Sequence, residues 1–291
     1  MTLPEPEPDA VAARPPMRLT FVGNATVLVR LGPFTLLTDP NFLRAGQRAY
    51  LGRGLWTRRL LDPALGVDDL PPLDAVVLSH LHGDHFDRVA RRGLDHEVPL
   101  LTTEHAASRL SRQGFAAATA LPTWQSTQVV ARSGDAPRAR LRVTSLPAVH
   151  ARGVLGRVLP PVMGSLLEYE PAPGAPTTRV YLSGDTLTGD HLDEITARVG
   201  RPDVAVLHLG GTRVLARTVT MDAVQGVDAV RRLQPHAVMP VHTDDYRAFR
   251  SGLGAFEAEA ERAGLTWLVR PVVRGSDLDI ESVETRMNSA D

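Results

Sequence analysis

Four metal-ligand side chains fall within six positions in the run Ser79-His80-Leu81-His82-Gly83-Asp84-His85-Phe86-Asp87, directly after the apolar stretch Ala75 to Leu78. Residues two apart on an extended chain point the same way, so His80 and His82 can converge on one ion. Gly83 allows a sharp turn, after which Asp84 and His85 can face a second ion. One segment can thus seed two adjacent metal positions, provided that a strand delivers it to an edge where side chains are free. With 10 histidines in 291 residues, accident would produce this pattern in about one chain in a thousand.

Three further ligand-type residues each stand just past an apolar, strand-like run: His150 after VTSLPAV, Asp185 after VYLSG and His242 after AVMPV. Open α/β architectures place ligand sites at the carboxyl ends of strands, where the chain leaves the sheet. Each residue alone has a plain reading, a packed histidine or a turn aspartate beside Gly184. Together with the first motif they point to one site built from four strand ends.

The rest of the pattern supplies those strands. Leu19 to Thr38 reads as a meander of short β-rich runs broken at Gly23-Asn24 and Gly32-Pro33. Further strands are expected at 75–79, 100–102, 128–132, 141–146, 165–169, 180–183, 204–209 and 237–239. Helical periodicity falls at 104–113, 190–199, 222–233 and 255–263, the third with Thr220 as expected N-cap. No composition break marks a linker. The expectation is one mixed α/β domain over 17–291, weakly duplicated in its two halves, after a flexible N-terminal tail at 1–16. The Gly- and Arg-rich stretch Asn41 to Pro72 has no clear period and reads as a structured loop or lid.

Cysteine is absent, so any metal must be held by His, Asp or Glu. A formal net charge of -1 argues against a general nucleic-acid binder. No apolar run reaches the ~18 residues of a membrane span, and the Pro- and acid-rich start lacks a signal-peptide core. A cytoplasmic protein with a small-molecule substrate and no stable membrane insertion is expected; an oligomer is left open.

The motifs LLTDPNF, SHLHGDHFD, PAVH, SGDT, LHLGGT and PVH, in this order from about Met17 onward, resemble the metallo-β-lactamase superfamily. Within it they are similar to the branch containing bacterial L-ascorbate-6-phosphate lactonase and N-acyl-phosphatidylethanolamine phospholipase D. The resemblance implies a four-layer αβ/βα sandwich with two divalent ions at one edge: His80, His82 and His150 on one, Asp84, His85 and His242 on the other, Asp185 bridging. Zinc is the expected ion, and manganese or iron suit the same donors. The chain departs from those β-lactamases that use a cysteine ligand, so antibiotic hydrolysis is not expected.

Two metals about 3.5 to 4 Å apart can share a water and present it as hydroxide. The expected activity is hydrolysis of an ester-like bond, a lactone or a phosphodiester, in an anionic small molecule. Asp185 would orient the hydroxide and Asp84 accept a proton. A lipid phosphodiesterase, a di-iron redox protein and a non-catalytic metal binder are the competing readings. Metal-bound histidines usually donate their second nitrogen to an acid; Asp39 is the candidate, with an Asp-Pro turn as alternative. His208 is a candidate substrate contact or general acid, or else a structural histidine. His96, His105, His191 and His236 read as surface or packing residues. Arg44, Arg48, Arg53, Arg58 and Arg59, interleaved with Tyr50 and Trp56, are either solvated or a clamp for phosphate or carboxylate, and the loop Ala151 to Gly164 is a second candidate pocket wall.

Overall fold

A computed structural model of the chain describes residues 17–132, 138–214 and 217–279. The expected tail at 1–16 and the last residues, 280–291, lie outside these. The elements in order are β1 (Met17–Gly23), β2 (Thr26–Leu31), β3 (Phe34–Thr38), β4 (Arg48–Gly52), β5 (Leu55–Arg58), β6 (Ala75–Val77), α1 (Arg88–Gly93), β7 (Leu100–Thr102), α2 (Glu104–Ser111), β8 (Ala118–Ala120) and β9 (Ser126–Val129). They continue with β10 (Arg140–Leu146), α3 (Val154–Val158), β11 (Gly164–Glu170), β12 (Thr178–Leu182), α4 (Asp190–Val199), β13 (Val204–His208), β14 (Arg213–Val214), β15 (Arg217–Thr218), α5 (Ala223–Leu233), β16 (Ala237–Val241), α6 (Leu253–Arg262) and β17 (Asp277–Asp279).

Two sheets carry the fold, in the orders β17-β1-β2-β3-β6-β7-β8 and β16-β13-β12-β11-β10-β9. The hydrophobic pattern explains why they stack. In β2, Val27, Val29 and Leu31 enter the core between the sheets while Leu28 points the other way, toward Ala90 of α1 and Leu110 of α2. In β13, Val204 and Val206 face the same central core, and Ala205 and Leu207 pack against the helix side with Ile195, Val230 and Phe256. Strands buried on both faces read as continuous apolar runs, which is why β6, β13 and β16 lack polar alternation. The result is the expected four-layer αβ/βα sandwich of the metallo-β-lactamase fold.

Three local expectations are corrected. The stretch Asn41 to Pro72 is not without regular structure: it contains the β4–β5 hairpin and a 3-10 turn at Val67–Asp69. The strand expected at 128–132 lies at 126–129. The N-cap of α5 is Asp222, whose carboxylate accepts from the Gln225 N–H, and not Thr220. No helix among the described residues is long and apolar enough to cross a membrane.

Candidate metal centre

The carboxyl ends of β6, β10, β12 and β16 release His80 to His85, His150, Asp185 and His242 at one edge of the sandwich. All seven side chains are buried. Donor atoms of His80, His82 and His150 lie within 4.8 Å of one another, as do those of Asp84, His85 and His242. Asp185 groups with His80 and His85, one residue from each triad. The structure therefore brings together every ligand candidate of the sequence, and Asp39 and His208 form a further group with His85.

Hydrogen bonds decide which atoms remain for an ion. His85 gives its Nδ1–H to Asp39 Oδ2 at 3.0 Å, and His150 its Nδ1–H to the Val219 carbonyl at 2.8 Å. His85 Nε2, His150 Nε2, both nitrogens of His242, Asp84 Oδ1 and Asp185 Oδ1 are buried without a hydrogen-bond partner. His80 Nε2 and His82 Nδ1 face each other at 2.9 Å. Orphaned buried polar atoms cost about 1–3 kcal/mol each, so a cluster of them persists only where a ligand satisfies them. The donor set, imidazole and carboxylate without thiolate, fits a divalent ion such as zinc or manganese.

Electrostatics keeps most of these donors in their binding form. Burial, helped by the neighbouring histidines, pushes His80 well below the usual imidazole range. Burial takes His82 down to about 4 and lowers His150. Burial alone would raise the Asp185 and Asp84 carboxyls, but the facing His242 and His85 bring both below the ordinary carboxylate range. His85 is the exception: burial would lower it, and Asp185, Asp39 and Asp84 around it raise it well above the usual value.

Behind the donors lies a tier that composition patterns had only partly exposed. Asp39 adopts φ 37, held there because its N–H donates to the Val77 carbonyl and its own carbonyl accepts from Thr26 Oγ1. Its Oδ1 accepts from the Ser79 N–H, and its Oδ2 from Ser79 Oγ, His85 and His208. Its role is thus as a hydrogen-bond hub rather than a turn residue alone. His208 has Nε2 3.3 Å from Asp39 and Nδ1 3.0 Å from Ser183 Oγ, and its ring stacks on His85 at 15°. With both nitrogens committed inside the protein, the substrate-contact or general-acid assignment of His208 gives way to the structural alternative.

Several contributors take roles that the sequence did not assign to them. Thr220 donates its hydroxyl to Asp185 Oδ2 at 3.0 Å, which turns Oδ1 toward the histidines. Asn24, φ 56, donates to the Asp84 carbonyl and accepts at its own carbonyl from the His242 N–H; the Gly23-Asn24 turn signal was its only trace. Gly83 is not in the left-handed region. What it supplies is space, since a Cβ there would stand 2.6 Å from the Tyr50 carbonyl oxygen of the β4–β5 hairpin. Asp245 is a buried partner of Arg59 and Arg274.

A cleft of 1170 Å³ opens in front of His82 and Gly83. Of the arginines in the 41–72 stretch, Arg48 and Arg53 line it, whereas Arg44 and Arg58 do not. Arg59 is fully buried and donates to Leu61, Asn41 and Asp245, so it is neither solvated nor a clamp. Residues 155 and 157–161 form another wall, and His105 lines the cleft beside Arg109. His96 packs on Phe115, and His191 lies 3.2 Å from Thr186 Oγ1.

Comparison with known proteins adds four findings. The sequence profile of the β-lactamase superfamily domain matches residues 35–243. A UPF0173 metal-dependent hydrolase of Opitutus terrae is 28% identical over 254 residues, 85% of this chain and 94% of the relative. The isothiocyanate hydrolase from Delia radicum gut bacteria superposes with a TM-score of 0.75 at 19% identity, covering 90% of this chain and 98% of that one. A possible metal-dependent hydrolase from Veillonella parvula gives 0.73 at 21% identity with the same coverage.

Proposed function

This chain belongs to the metallo-β-lactamase superfamily, and from that premise we propose that it is a metal-dependent hydrolase, as its relatives are named, which cleaves an ester-like bond, a lactone or a phosphodiester, at a centre of two divalent ions. The observation that carries the reading is the convergence of seven buried side chains of ligand type, six of which carry a buried nitrogen or oxygen without a hydrogen-bond partner. His80, His82 and His150 would hold one ion, Asp84, His85 and His242 the other, and Asp185 Oδ1 would face both. Bound divalent ions lower the pKa of water toward neutrality and polarise a substrate oxygen.

The protein's own groups prepare that chemistry. Asp39 fixes the His85 ring so that Nε2 faces the centre, and His208 and Ser79 hold Asp39 in turn. Thr220 fixes the rotation of Asp185. Asp84, buried beside His242, would take up a proton during turnover. The retention of all seven donors argues against a non-catalytic descendant of the fold.

A hydrolysis screen of the metal-loaded protein against lactones, phosphodiesters and β-lactams, run beside Asp185→Asn, tests the reading. Turnover is expected with a lactone or a phosphodiester, and Asp185→Asn should reduce metal content and hydrolysis together. Retention of both in the variant, or turnover of β-lactams alone, would refute it.

A further inference from the structure

The cleft is larger than the roughly 300–1,000 Å³ of sites for drug-sized ligands, and its walls differ in kind. Tyr50, Leu55 and Trp56 of the β4–β5 hairpin line one side and are 45%, 46% and 59% exposed. Leu155, Val158, Pro160 and Pro161 line another. Arg53 ties the two, its Nε and Nη2 donating to the Val158 carbonyl at 3.2 and 3.1 Å.

Between the apolar walls stand Arg88 and Arg91 of α1, Arg109 of α2, Arg157 of α3 and Arg213 of β14. The one acid in the lining is Asp87, whose carboxylate is occupied by the N–H groups of Phe42, Leu43, Val89 and Ala90. None of the lining arginines forms an ion pair among the described residues, whereas Arg132, Arg198 and Arg232 elsewhere each pair with a carboxylate. Unbalanced guanidiniums around a cleft with low-dielectric walls focus a positive potential that attracts an anion, and the whole chain, at a net charge of -1, has no general basic excess. The positive charge is local to the mouth of the metal centre.

We infer that the cleft binds an anionic amphiphile. An apolar segment lies against Tyr50, Leu55, Trp56 and Leu155, and a phosphate or carboxylate group is held by Arg91 and Arg109 with Arg88 on the α1 and α2 side. This rests on the hydrolase reading above and makes these arginines determinants of which ester is accepted. Planar guanidinium forks suit such oxyanions in paired contacts.

Isothermal titration of the zinc-loaded full chain with monomeric dodecyl phosphate, with neutral dodecyl dimethyl phosphate and with inorganic phosphate tests it. Dodecyl phosphate should bind tightest. The double variant Arg91→Glu/Arg109→Glu should weaken it by about tenfold or more, and the milder Arg91→Gln/Arg109→Gln by less, with zinc content and melting temperature as controls on folding. Affinity unchanged in both variants would assign the anion to the metal ions and overturn the inference. Equal affinity for inorganic phosphate would overturn the apolar half, and binding only to phosphatidylglycerol vesicles would replace the amphiphile by a membrane surface. Arginine-dependent binding without turnover of any ester would support the cleft while counting against the proposed reaction.

Discussion

Asp39 Oδ2 accepts the Nδ1–H of His85 at 3.0 Å, and this contact decides which nitrogen His85 turns to the metal centre. An acid behind a metal histidine fixes its tautomer and raises its basicity, and losing it commonly costs 10–100-fold in affinity, by rough measure. Asp39→Asn should therefore lower metal affinity by about 10–100-fold, most at the position shared by Asp84, His85 and His242. Competition with a chromophoric chelator measures it, and two unchanged affinities would remove Asp39 from the centre.

Thr220 holds Asp185 Oδ2 at 3.0 Å. Thr220→Val keeps the shape but leaves that buried oxygen unpaired, so metal-free protein should lose about 1–3 kcal/mol of stability, with weaker metal occupancy. Thr220→Ser should restore both. Denaturant titrations with metal analysis give the readout, and a valine variant matching wild type in each would show that the hydroxyl is dispensable.

Gly83 lies under the hairpin, and an added Cβ would meet the Tyr50 nitrogen at 2.7 Å as well as its carbonyl. Because the clash is with backbone, Gly83→Ala must displace β4 or the metal motif. A loss of about 1–3 kcal/mol is expected, together with weakened metal binding, since His82 and Asp84 flank the glycine. A fully stable variant with normal metal content would contradict the packing described.

The buried histidines set an acid limit on the metal-free protein. His80, His82, His150 and His208 are all lowered from 6.5, His82 to about 4. As pH falls through 6.5 the unfolded chain takes up protons that these residues refuse, so stability declines between about 6.5 and 4, with His82 alone contributing about 3 kcal/mol. His85 has the opposite sign: its raised value adds stability that is complete below 6.5 and is lost as pH rises through its folded value. It therefore does not offset the acid loss. Melting temperatures recorded across this window should fall toward acid, and a flat profile would mean that the four are not buried neutral.

The fold was legible where hydrophobic period was strong. The apolar cores of β3, β6, β13 and β16 and the amphipathic α4 and α5 could be read from the chain within a residue or two. The β4–β5 hairpin escaped because its outward residues, Tyr50, Leu55 and Trp56, are themselves apolar, so its alternation has no contrast. Thr220 misled for a related reason. A threonine before a helix suits an N-cap, but Asp222 takes that role and leaves Thr220 to Asp185.

By itself the sequence determined the candidate donor set and its placement at strand ends, because ligand chemistry and strand alternation are both local properties. It also selected Asp39, through its position after a strand. Only the tertiary structure decided that His208 backs Asp39, that Arg59 is buried and that the cleft arginines without an ion pair among the described residues come from α1, α2, α3 and β14 as well as from the 41–72 stretch. Those outcomes depend on which segments the two sheets bring together across long separations, as with Asp39 and His208 or Arg59 and Asp245. No local pattern encodes which charges meet a partner there and which are left facing the cleft.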